Sequence, residues 1–256
     1  MIELDRIYNQ DCLVGMKEIP DKSIDAIICD LPYGTTACKW DSVIPFEPLW
    51  EQYKRVTKPK APIVLFGSEP FSTMVRASNI KSYRYDWVWE KKFGGNFLQV
   101  KRQPIKTFEN IMVFGFESPV YYPQMTKRDI PIKKGKNSNN AGDAMGEIRG
   151  EKARNFQGQV YEYKYPCAIL HFNSRADGHK TIHPTQKPVE LIRYLIRTYT
   201  NEGETVLDNC MGSGTTAIAA MREHRHYIGF ELNKEFYEKA CERVRNEQAQ
   251  LKMAME

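Results

Sequence analysis

Residues 30–33 combine groups that together could activate an amine attached to an aromatic ring: Asp30, Leu31, Pro32 and Tyr33. The exocyclic amine of adenine or cytosine is a poor nucleophile because its lone pair is delocalised into the ring. Two hydrogen-bond acceptors aimed at its hydrogens oppose that delocalisation. The Asp30 carboxylate and the Leu31 carbonyl are the candidate acceptors, held in line by the rigid Pro32. Tyr33 offers a flat face for a base, and such stacking is worth roughly 1–3 kcal/mol.

A second group of polar and small residues could hold a nucleoside. Asp208 ends a predicted strand, residues 212–217 read Gly-Ser-Gly-Thr-Thr-Ala before a predicted helix, and Glu231 ends the next strand. Glycines let a ligand approach the backbone closely, and a helix N-terminus offers free N–H groups. A carboxylate at the position of Glu231 can accept hydrogens from both ribose hydroxyls. This arrangement predicts a nucleoside-bearing cofactor.

The charge of Asp208 indicates which cofactor that is. The spacing from Gly212 to Ala217 satisfies the short dinucleotide pattern, so an NAD-dependent oxidoreductase is an alternative. A carboxylate ahead of the glycines would repel a pyrophosphate, whereas it suits a ligand with an amine or sulfonium cation. No lysine follows Gly214, which excludes a P-loop. We therefore expect S-adenosylmethionine.

Residues 30–33 resemble the catalytic tetrapeptide of the amino-group DNA methyltransferases, in which Asp, Asn or Ser precedes Pro-Pro and an aromatic residue. Leu31 stands where the first proline is usual. The resemblance implies methyl transfer to the amine of a flipped-out base without a covalent enzyme intermediate. Asp30 would accept the proton once the nitrogen is cationic. Because relatives acting on cytosine more often begin with Ser, Asp30 favours adenine-N6 over cytosine-N4.

Two further stretches resemble the cofactor motifs of the same family. Residues 208–216 are similar to its Asp-Pro-Phe-x-Gly-Ser-Gly-Thr-Thr motif, with Asn209 and Cys210 as the departures. Residues 11–12 resemble an early Asp-Cys pair that lies near the cofactor adenine. The resemblance therefore extends over nearly the whole chain.

Residues 183–188 match the family's His-Pro-Thr-Gln-Lys-Pro, which lies beside the methionine end of the cofactor. Thr185 can cap the helix that follows, and Lys187 can hold a carboxylate together with the free N–H groups. The cofactor-binding residues expected from all these motifs are Asp11, Cys12, Asp30, His183, Thr185, Gln186, Lys187, Asp208, Cys210, Met211, Gly212, Ser213, Gly214, Thr215 and Glu231.

The order of the motifs implies the architecture. The catalytic turn precedes the cofactor motif, which in this family is the circularly permuted β-type arrangement with a target-recognition segment between them. The resemblance implies an α/β fold with a Rossmann-like, seven-stranded, mostly parallel sheet and helices on both faces. We expect residues 1–116 to be the catalytic half of one domain, 117–165 the inserted segment, and 166–256 the cofactor-binding half.

The hydrophobic pattern predicts the elements that position both groups. Apolar runs predict strands at 25–29, 62–67, 85–89, 111–116, 205–208 and 226–231, and helical spacing predicts helices at 46–56, 69–78, 189–199, 217–221 and 234–250. Alternating strands and helices indicate a mostly parallel sheet. The family resemblance implies that the strands ending at Cys29 and Asp208 are neighbours at the switch point of this sheet. Asp30 and Asp208 should then lie in one crevice.

The composition is that of a globular protein with a mild positive charge. Of its 256 residues, 41% are hydrophobic and 27% are charged, which is typical of folded chains. The sequence has no apolar run long enough for a membrane span and no signal-peptide pattern at its start, so we expect a cytoplasmic protein. The 6 cysteines form no Cys-x-x-Cys pair, and we expect no metal site.

Double-stranded DNA is the expected partner. Thirty-seven Lys and Arg against 32 Asp and Glu permit such a polyanion without demanding it. A base inside a duplex must be flipped out to react, and contacts to phosphates must hold the opened DNA. The basic segment 127–154 is the candidate surface, although a solvated loop is an alternative. The residues expected to contact DNA are Lys39, Lys91, Lys92, Lys133, Lys134 and Lys136.

Other functions would account for part of these observations. Amino methylation of cytosine or of RNA would use the same site, whereas an oxidoreductase leaves residues 30–33 unexplained. A cytosine-C5 methyltransferase needs a Pro-Cys nucleophile, and the pair at residues 166–167 stands in the wrong motif order. A catalytically silent DNA-binding module would not need an intact acceptor turn (residues 30–33) or an intact cofactor motif (residues 208–216). The sequence leaves open the recognition site, a homodimer, and a restriction partner or phage origin.

Overall fold

The computed structural model describes residues 2–34, 42–92, 94–96, 99–133, 160–173 and 186–253. The chain divides into two compact units, Met1–Tyr122 with Ala168–Glu256, and Pro123–Cys167. The described strands are β1 (Arg6–Tyr8), β2 (Ala26–Cys29), β3 (Ile63–Gly67), β4 (Tyr83–Glu90), β5 (Phe108–Phe114), β6 (Thr126–Lys133), β7 (Val160–Lys164), β8 (Ile169–His171), β9 (Thr205–Asp208) and β10 (His226–Phe230). The described helices are α1 (Cys12–Met16), α2 (Phe46–Val56), α3 (Phe71–Ser78), α4 (Val189–Tyr199), α5 (Thr215–Arg222) and α6 (Lys234–Met253).

Eight described strands form one sheet in the order β1-β10-β9-β2-β3-β5-β4-β8. β5 is antiparallel to both of its neighbours, and all other pairs in this sheet are parallel. The expected mostly parallel α/β fold is confirmed, and the sheet has one strand more than the seven expected. The outermost strand β8 pairs with β4, placing Ile169 opposite Val88. Its three residues are too few to show a hydrophobic period in the sequence.

Helices cover both faces of this sheet. Successive side chains of a strand point to opposite faces, so a strand covered on both sides is apolar throughout. In β2, Ile27 and Cys29 pack in the core formed with α1, α2 and α3. Ile28 packs instead in the core formed with α4, α5 and α6. This double coverage explains why the apolar runs in the sequence predicted the central strands well.

The neighbouring parallel strands β2 and β9 come from distant parts of the sequence, with Ala26 opposite Val206 and Ile27 opposite Leu207. From β2 the chain continues through α2 to β3, whereas from β9 it continues through α5 to β10 on the other side. Because the two connections diverge, a crevice opens beyond the carboxyl ends of β2 and β9.

The smaller unit contains an antiparallel ribbon of β6 and β7, paired from Thr126 opposite Lys164 to Lys133 opposite Val160. Its side chains are largely exposed, including Ile130 at 80%. A ribbon exposed on both sides has no buried apolar run, which is why the sequence did not predict these strands. Residues 134–159, which include most of the expected basic segment, lie outside the described residues.

Amphipathic helices make up the helical layers, and none of the described helices is long and apolar enough to cross a membrane. α4 shows the pattern, since it buries Leu191 and Leu195 and exposes Glu190. At the end of α5, the buried carboxylate of Glu223 accepts hydrogen bonds from Arg193 Nε at 2.6 Å and Arg197 Nη1 at 2.5 Å. This shared carboxylate therefore links α4 to the end of α5.

We expect Glu223→Ala to lower the free energy of unfolding by about 2 kcal/mol, because two partly buried guanidinium groups lose their common partner. Urea denaturation followed by circular dichroism measures this change. Glu190→Ala is the matched control, since Glu190 also pairs with Arg193, at 2.7 Å, but is about half exposed. That variant should lose less than about 0.5 kcal/mol. Equal losses in the two variants would contradict this explanation.

Candidate active site

A cavity of about 560 Å³ lies at the carboxyl ends of β2 and β9. Residues 30–33 line it from one strand and residues 208–213 from the other, so two stretches far apart in sequence meet here. The predicted catalytic and cofactor residues that line this cavity are Asp11, Cys12, Asp30, Leu31, Pro32, Tyr33, Gln186, Lys187, Asp208, Cys210, Met211, Gly212, Ser213, Thr215 and Glu231.

A few predicted residues are not found in this lining. Gly214 precedes α5 with a φ of +77°, and a side chain there would meet Ala240 of α6 at 3.3 Å, so the position serves the turn and its packing. Lys92 and Lys133 are exposed on the surface of their respective units. The predicted residues that lie outside the described part of the chain are Lys39, Lys134, Lys136, His183 and Thr185.

The glycine turn, residues 212–214, is held in place by a side chain of α6. Gly212 and Gly214 both have positive φ, at +54° and +77°, a conformation that favours glycine. Arg243 of α6 donates to the Ser213 carbonyl and to Thr215 Oγ1, each at 3.0 Å. Arg243 was not predicted from the sequence, because one arginine in a charged helix carries no signal of its own.

Asp208 is a buried carboxylate whose negative charge is only partly compensated by hydrogen-bond donors. Its oxygens accept hydrogen bonds from the Cys210 N–H at 3.0 Å and the Thr216 hydroxyl at 2.6 Å. Burial raises the pKa of Asp208 to about 6, although these two hydrogen bonds oppose the increase. The ionised side chain is therefore destabilised in the structure, and a nearby cation would stabilise it.

Glu231 supports the turn from the end of β10. Its two carboxylate oxygens accept from the N–H groups of Gly212 and Asn233, both at 2.8 Å. Burial raises the pKa of Glu231 above its usual value, while the two N–H groups oppose that change. Each carboxylate oxygen has a second lone pair, so Glu231 can still accept hydrogens from ligand hydroxyls.

Asn209 stands where the resemblance expects proline, and the structure gives a reason for this departure. Its Oδ1 accepts a hydrogen bond from the buried Tyr53 hydroxyl at 2.6 Å, and its Nδ2 lies 3.6 Å from the Sγ atoms of Cys12 and Cys210. This side chain therefore fixes the turn to α2, a function that proline rigidity could serve instead. Nearby, burial raises the pKa of Cys29 to about 12, which keeps that thiol protonated.

The acceptor turn, residues 30–33, is held in place by a hydrogen bond and by ring stacking. The Tyr33 hydroxyl donates to Asp30 Oδ1 at 2.8 Å. The Tyr33 ring stacks on Phe71, with centroids 4.8 Å apart and planes 24° apart. Phe71 was not singled out in the sequence, where it is one apolar residue of a predicted helix. Its contact fixes the plane in which the Tyr33 ring is presented.

Lys187 lies between two carboxylates. Its Nζ pairs with Asp30 Oδ2 and lies 3.4 Å from Oε2 of Glu109, which also pairs with Lys91. Burial alone would lower the pKa of Lys187, but the two carboxylates raise it above its usual value. Lys91, expected to contact DNA, is engaged with Glu109 and lies 5.0 Å from the Trp89 ring centroid. Glu109 was not predicted from the sequence.

The described lining of the cavity is strongly acidic. It contains the five carboxylates of Asp11, Asp30, Glu109, Asp208 and Glu231, but Lys187 is the one lysine or arginine among its described residues. At short range and partial burial, such an excess of negative charge favours a cationic ligand and opposes an anionic one.

A mostly parallel sheet with helices on both faces and a glycine turn at its crevice defines a Rossmann-like α/β protein. The chain belongs to the DNA methylase family N6_N4_Mtase, whose sequence profile matches residues 24–242. That family was the one expected from the motifs at the level of amino-group methylation of DNA.

Two relatives are similar to this chain in sequence, and two solved structures are similar to it in fold. The type II methyltransferase M.BglII of Bacillus subtilis is 28% identical over 255 residues, covering 91% of this chain and 67% of the relative. M1.MboII of Moraxella bovis is 24% identical over 254 residues, covering 94% of this chain and 96% of the relative. The crystal structure of an M1.HpyAVI–SAM complex is similar with a TM-score of 0.61 at 23% identity, covering 93% and 98%. PvuII DNA methyltransferase, described as cytosine-N4-specific, has a TM-score of 0.66 at 15% identity, covering 92% and 84%.

The burial of Asp208 leads to a pH-dependent prediction. Because its pKa is raised to about 6 in the folded state, the native protein binds a proton more readily than the unfolded chain between about pH 4 and 6. This group therefore lowers stability as the pH rises through that window. We expect Asp208→Asn to be more stable than wild type at pH 8 by roughly 2–3 kcal/mol, and by much less at pH 4.

Urea denaturation at both pH values tests this prediction. An asparagine can keep one hydrogen bond from the Cys210 N–H and donate to the Thr216 hydroxyl, so its geometry is compatible with the site. Glu47→Gln, which changes an exposed carboxylate of α2, is the control and should leave the pH dependence unchanged. A variant that is less stable than wild type at pH 8 would show that burial does not dominate at Asp208.

Proposed function

We propose that the protein transfers a methyl group from S-adenosylmethionine to the exocyclic amine of a flipped-out adenine in double-stranded DNA. The observation that carries this proposal is the meeting of residues 30–33 with the glycine turn in one acidic cavity. Membership of the DNA methylase family supports DNA as the substrate. The description of the M1.HpyAVI structure as a SAM complex supports the cofactor.

The charges of the cavity fit S-adenosylmethionine better than NAD. Asp208 is buried and Glu231 is half-buried, and both have raised pKa values. A ligand with sulfonium and ammonium groups would stabilise their ionised forms. A pyrophosphate in the same place would be repelled. Glu231 would accept the ribose hydroxyls, Asp11 and Cys12 would lie at the adenine end, and Gly212 would allow close approach of the backbone. When bound, S-adenosylmethionine supplies a methyl group on a positively charged sulfur.

Asp30 and the Leu31 carbonyl would accept the two hydrogens of the target amine and so direct its lone pair toward the methyl group. The nitrogen–carbon bond would form as the sulfur–carbon bond breaks, and the electron pair of the broken bond would remain on sulfur. The nitrogen is then cationic and passes a proton to the Asp30 carboxylate. Pro32 limits backbone motion at the acceptor turn.

Tyr33 would provide the stacking face for the flipped base. One face of its ring already stacks on Phe71, and its hydroxyl bonds Asp30, so the ring is held beside the acceptor. A ring fixed in this way loses less conformational freedom on binding a base than a free side chain would. Stacking would then offset part of the cost of opening the duplex.

DNA contacts and domain roles are part of the same proposal. The segment 117–165 would recognise the target, with residues 1–116 and 166–256 as the catalytic and cofactor-binding halves of a circularly permuted, β-type enzyme. The acceptor turn precedes the glycine turn in the chain, and this order supports the arrangement. The exposed Lys92 and Lys133 would contact phosphates.

The adenine preference rests on the leading Asp30 of the acceptor turn. A cytosine-N4 methyltransferase is the second candidate, supported by the fold shared with the PvuII enzyme described as cytosine-N4-specific. Incubation of DNA with the protein and labelled S-adenosylmethionine, followed by digestion to nucleosides and mass spectrometry, separates them. The proposal expects N6-methyladenine. N4-methylcytosine alone would establish the second candidate, and the absence of any methylated base would contradict both.

We expect Asp30→Ala to reduce the methylation rate by about two to four decades, because the amine loses its main acceptor. Cofactor affinity, measured by calorimetry, should be retained. Asp21→Ala is the control, since Asp21 is an exposed carboxylate that pairs with Arg55 away from the cavity. Turnover near that of wild type in Asp30→Ala would reject the role of Asp30.

A further inference from the structure

Glu109 of β5 is a largely buried carboxylate in the cavity wall that the proposed reaction does not use. Its side chain is 13% exposed, and it contacts two ammonium groups: Lys91 on one side and Lys187 on the other. Burial alone would raise the pKa of Glu109, but Lys187 and Lys91 together lower it below its usual value. Glu109 is therefore ionised and sits one side chain away from Asp30.

These side chains form a row of alternating charges, from Lys91 through Glu109 and Lys187 to Asp30. Lys187 is buried, and the centroid of the Phe66 ring also lies 5.2 Å from its ammonium. Two carboxylates share this one buried cation. Without Glu109, the whole attraction of Lys187 would act on Asp30, since a buried charge interacts most strongly with its nearest partner in a region of low dielectric.

The availability of Asp30 matters because of what it must do in the proposed reaction. An acceptor for the target amine needs a lone pair that is not fully committed to another donor. In the structure the Tyr33 hydroxyl occupies Oδ1 and Lys187 occupies Oδ2. The amine becomes cationic during transfer, so an uncompensated Lys187 would also repel it. A second carboxylate beside Lys187 reduces both effects.

We propose that Glu109 is a positioning residue for methyl transfer. It shares the Lys187 ammonium with Asp30, and so keeps the Asp30 carboxylate able to accept hydrogen from the target amine. Lys91 in turn neutralises Glu109 and holds it in the wall of the cavity. This inference rests on the proposed function of Asp30 as the acceptor.

The test measures single-turnover methylation by Glu109→Gln, which removes the charge and keeps the shape. We expect the rate constant to fall about tenfold to hundredfold, as for other small misplacements of a reacting group. The dissociation constant for S-adenosylmethionine and the KM for DNA should change by less than about threefold. Glu90→Gln is the matched control: Glu90 lies on the neighbouring strand β4, is about half exposed, and pairs with His171. It should react like wild type.

Two further variants separate the electrostatic role from a structural one. Glu109→Asp keeps the charge and should react clearly faster than Glu109→Gln. In a Lys187→Met background, Glu109→Gln should cause little further loss, because the two residues act through one interaction. Thermal unfolding of each variant checks that the fold is retained.

Several results would overturn the inference. They are an unchanged rate in Glu109→Gln, equal losses in Glu109→Asp and Glu109→Gln, or a full additional loss in the Lys187→Met background. If Lys187→Met has no measurable activity, the comparison of Glu109→Asp with Glu109→Gln decides. A wild-type protein that makes no methylated amine, or an active Asp30→Ala, would instead contradict the proposed function itself.

Discussion

The properties of this molecule depend on one constraint, a pair of carboxylates at the ends of two neighbouring strands, Asp208 buried and Asp30 half-buried. Asp30 follows β2, Asp208 ends β9, and both line one cavity. Removing a carboxylate from water costs free energy unless cations or hydrogen-bond donors compensate, and the raised pKa of Asp208 shows that its compensation is incomplete. Lys187 serves Asp30 and Glu109, so a cationic ligand would be the remaining source of stabilisation for Asp208.

The scaffold can hold these charges because the strands behind them are buried on both faces. β2 and β9 are fully buried, and the apolar pairs Ala26–Val206 and Ile27–Leu207 lie behind the two turns. Each turn is then fixed from a neighbouring helix. Arg243 of α6 holds the glycine turn, and Phe71 of α3 supports the Tyr33 ring. A rigid arrangement of this kind reduces the ordering that a ligand would otherwise have to cause.

Local sequence patterns were sufficient for the buried elements and insufficient for the exposed or short ones. The predicted helix at 46–56 and strand at 205–208 have the bounds seen in α2 and β9, because their apolar periods are clear. The short β1 and β8 and the exposed ribbon of β6 and β7 lack such a period and were not predicted. The pairing of β2 with β9 was expected from the family resemblance and not from any local pattern.

The candidate site shows the same division. Motifs located Asp30 and Asp208, since each occurs in a distinctive string of residues. Glu109, Phe71 and Arg243 were missed because each belongs to an ordinary strand or helix, and only folding brings it to the cavity. The partner of Lys187 was likewise decided by tertiary contacts, which placed Asp30 and Glu109 beside its ammonium.

The most direct test of the central claim is a calorimetric titration of S-adenosylmethionine at pH 6, in two buffers with different heats of ionisation. If a cationic ligand stabilises the ionised form of Asp208, binding should release about half a proton from this group. NAD should not bind under the same conditions. Proton uptake on binding S-adenosylmethionine, or equally tight binding of NAD, would contradict the account of an acidic cavity completed by a cation.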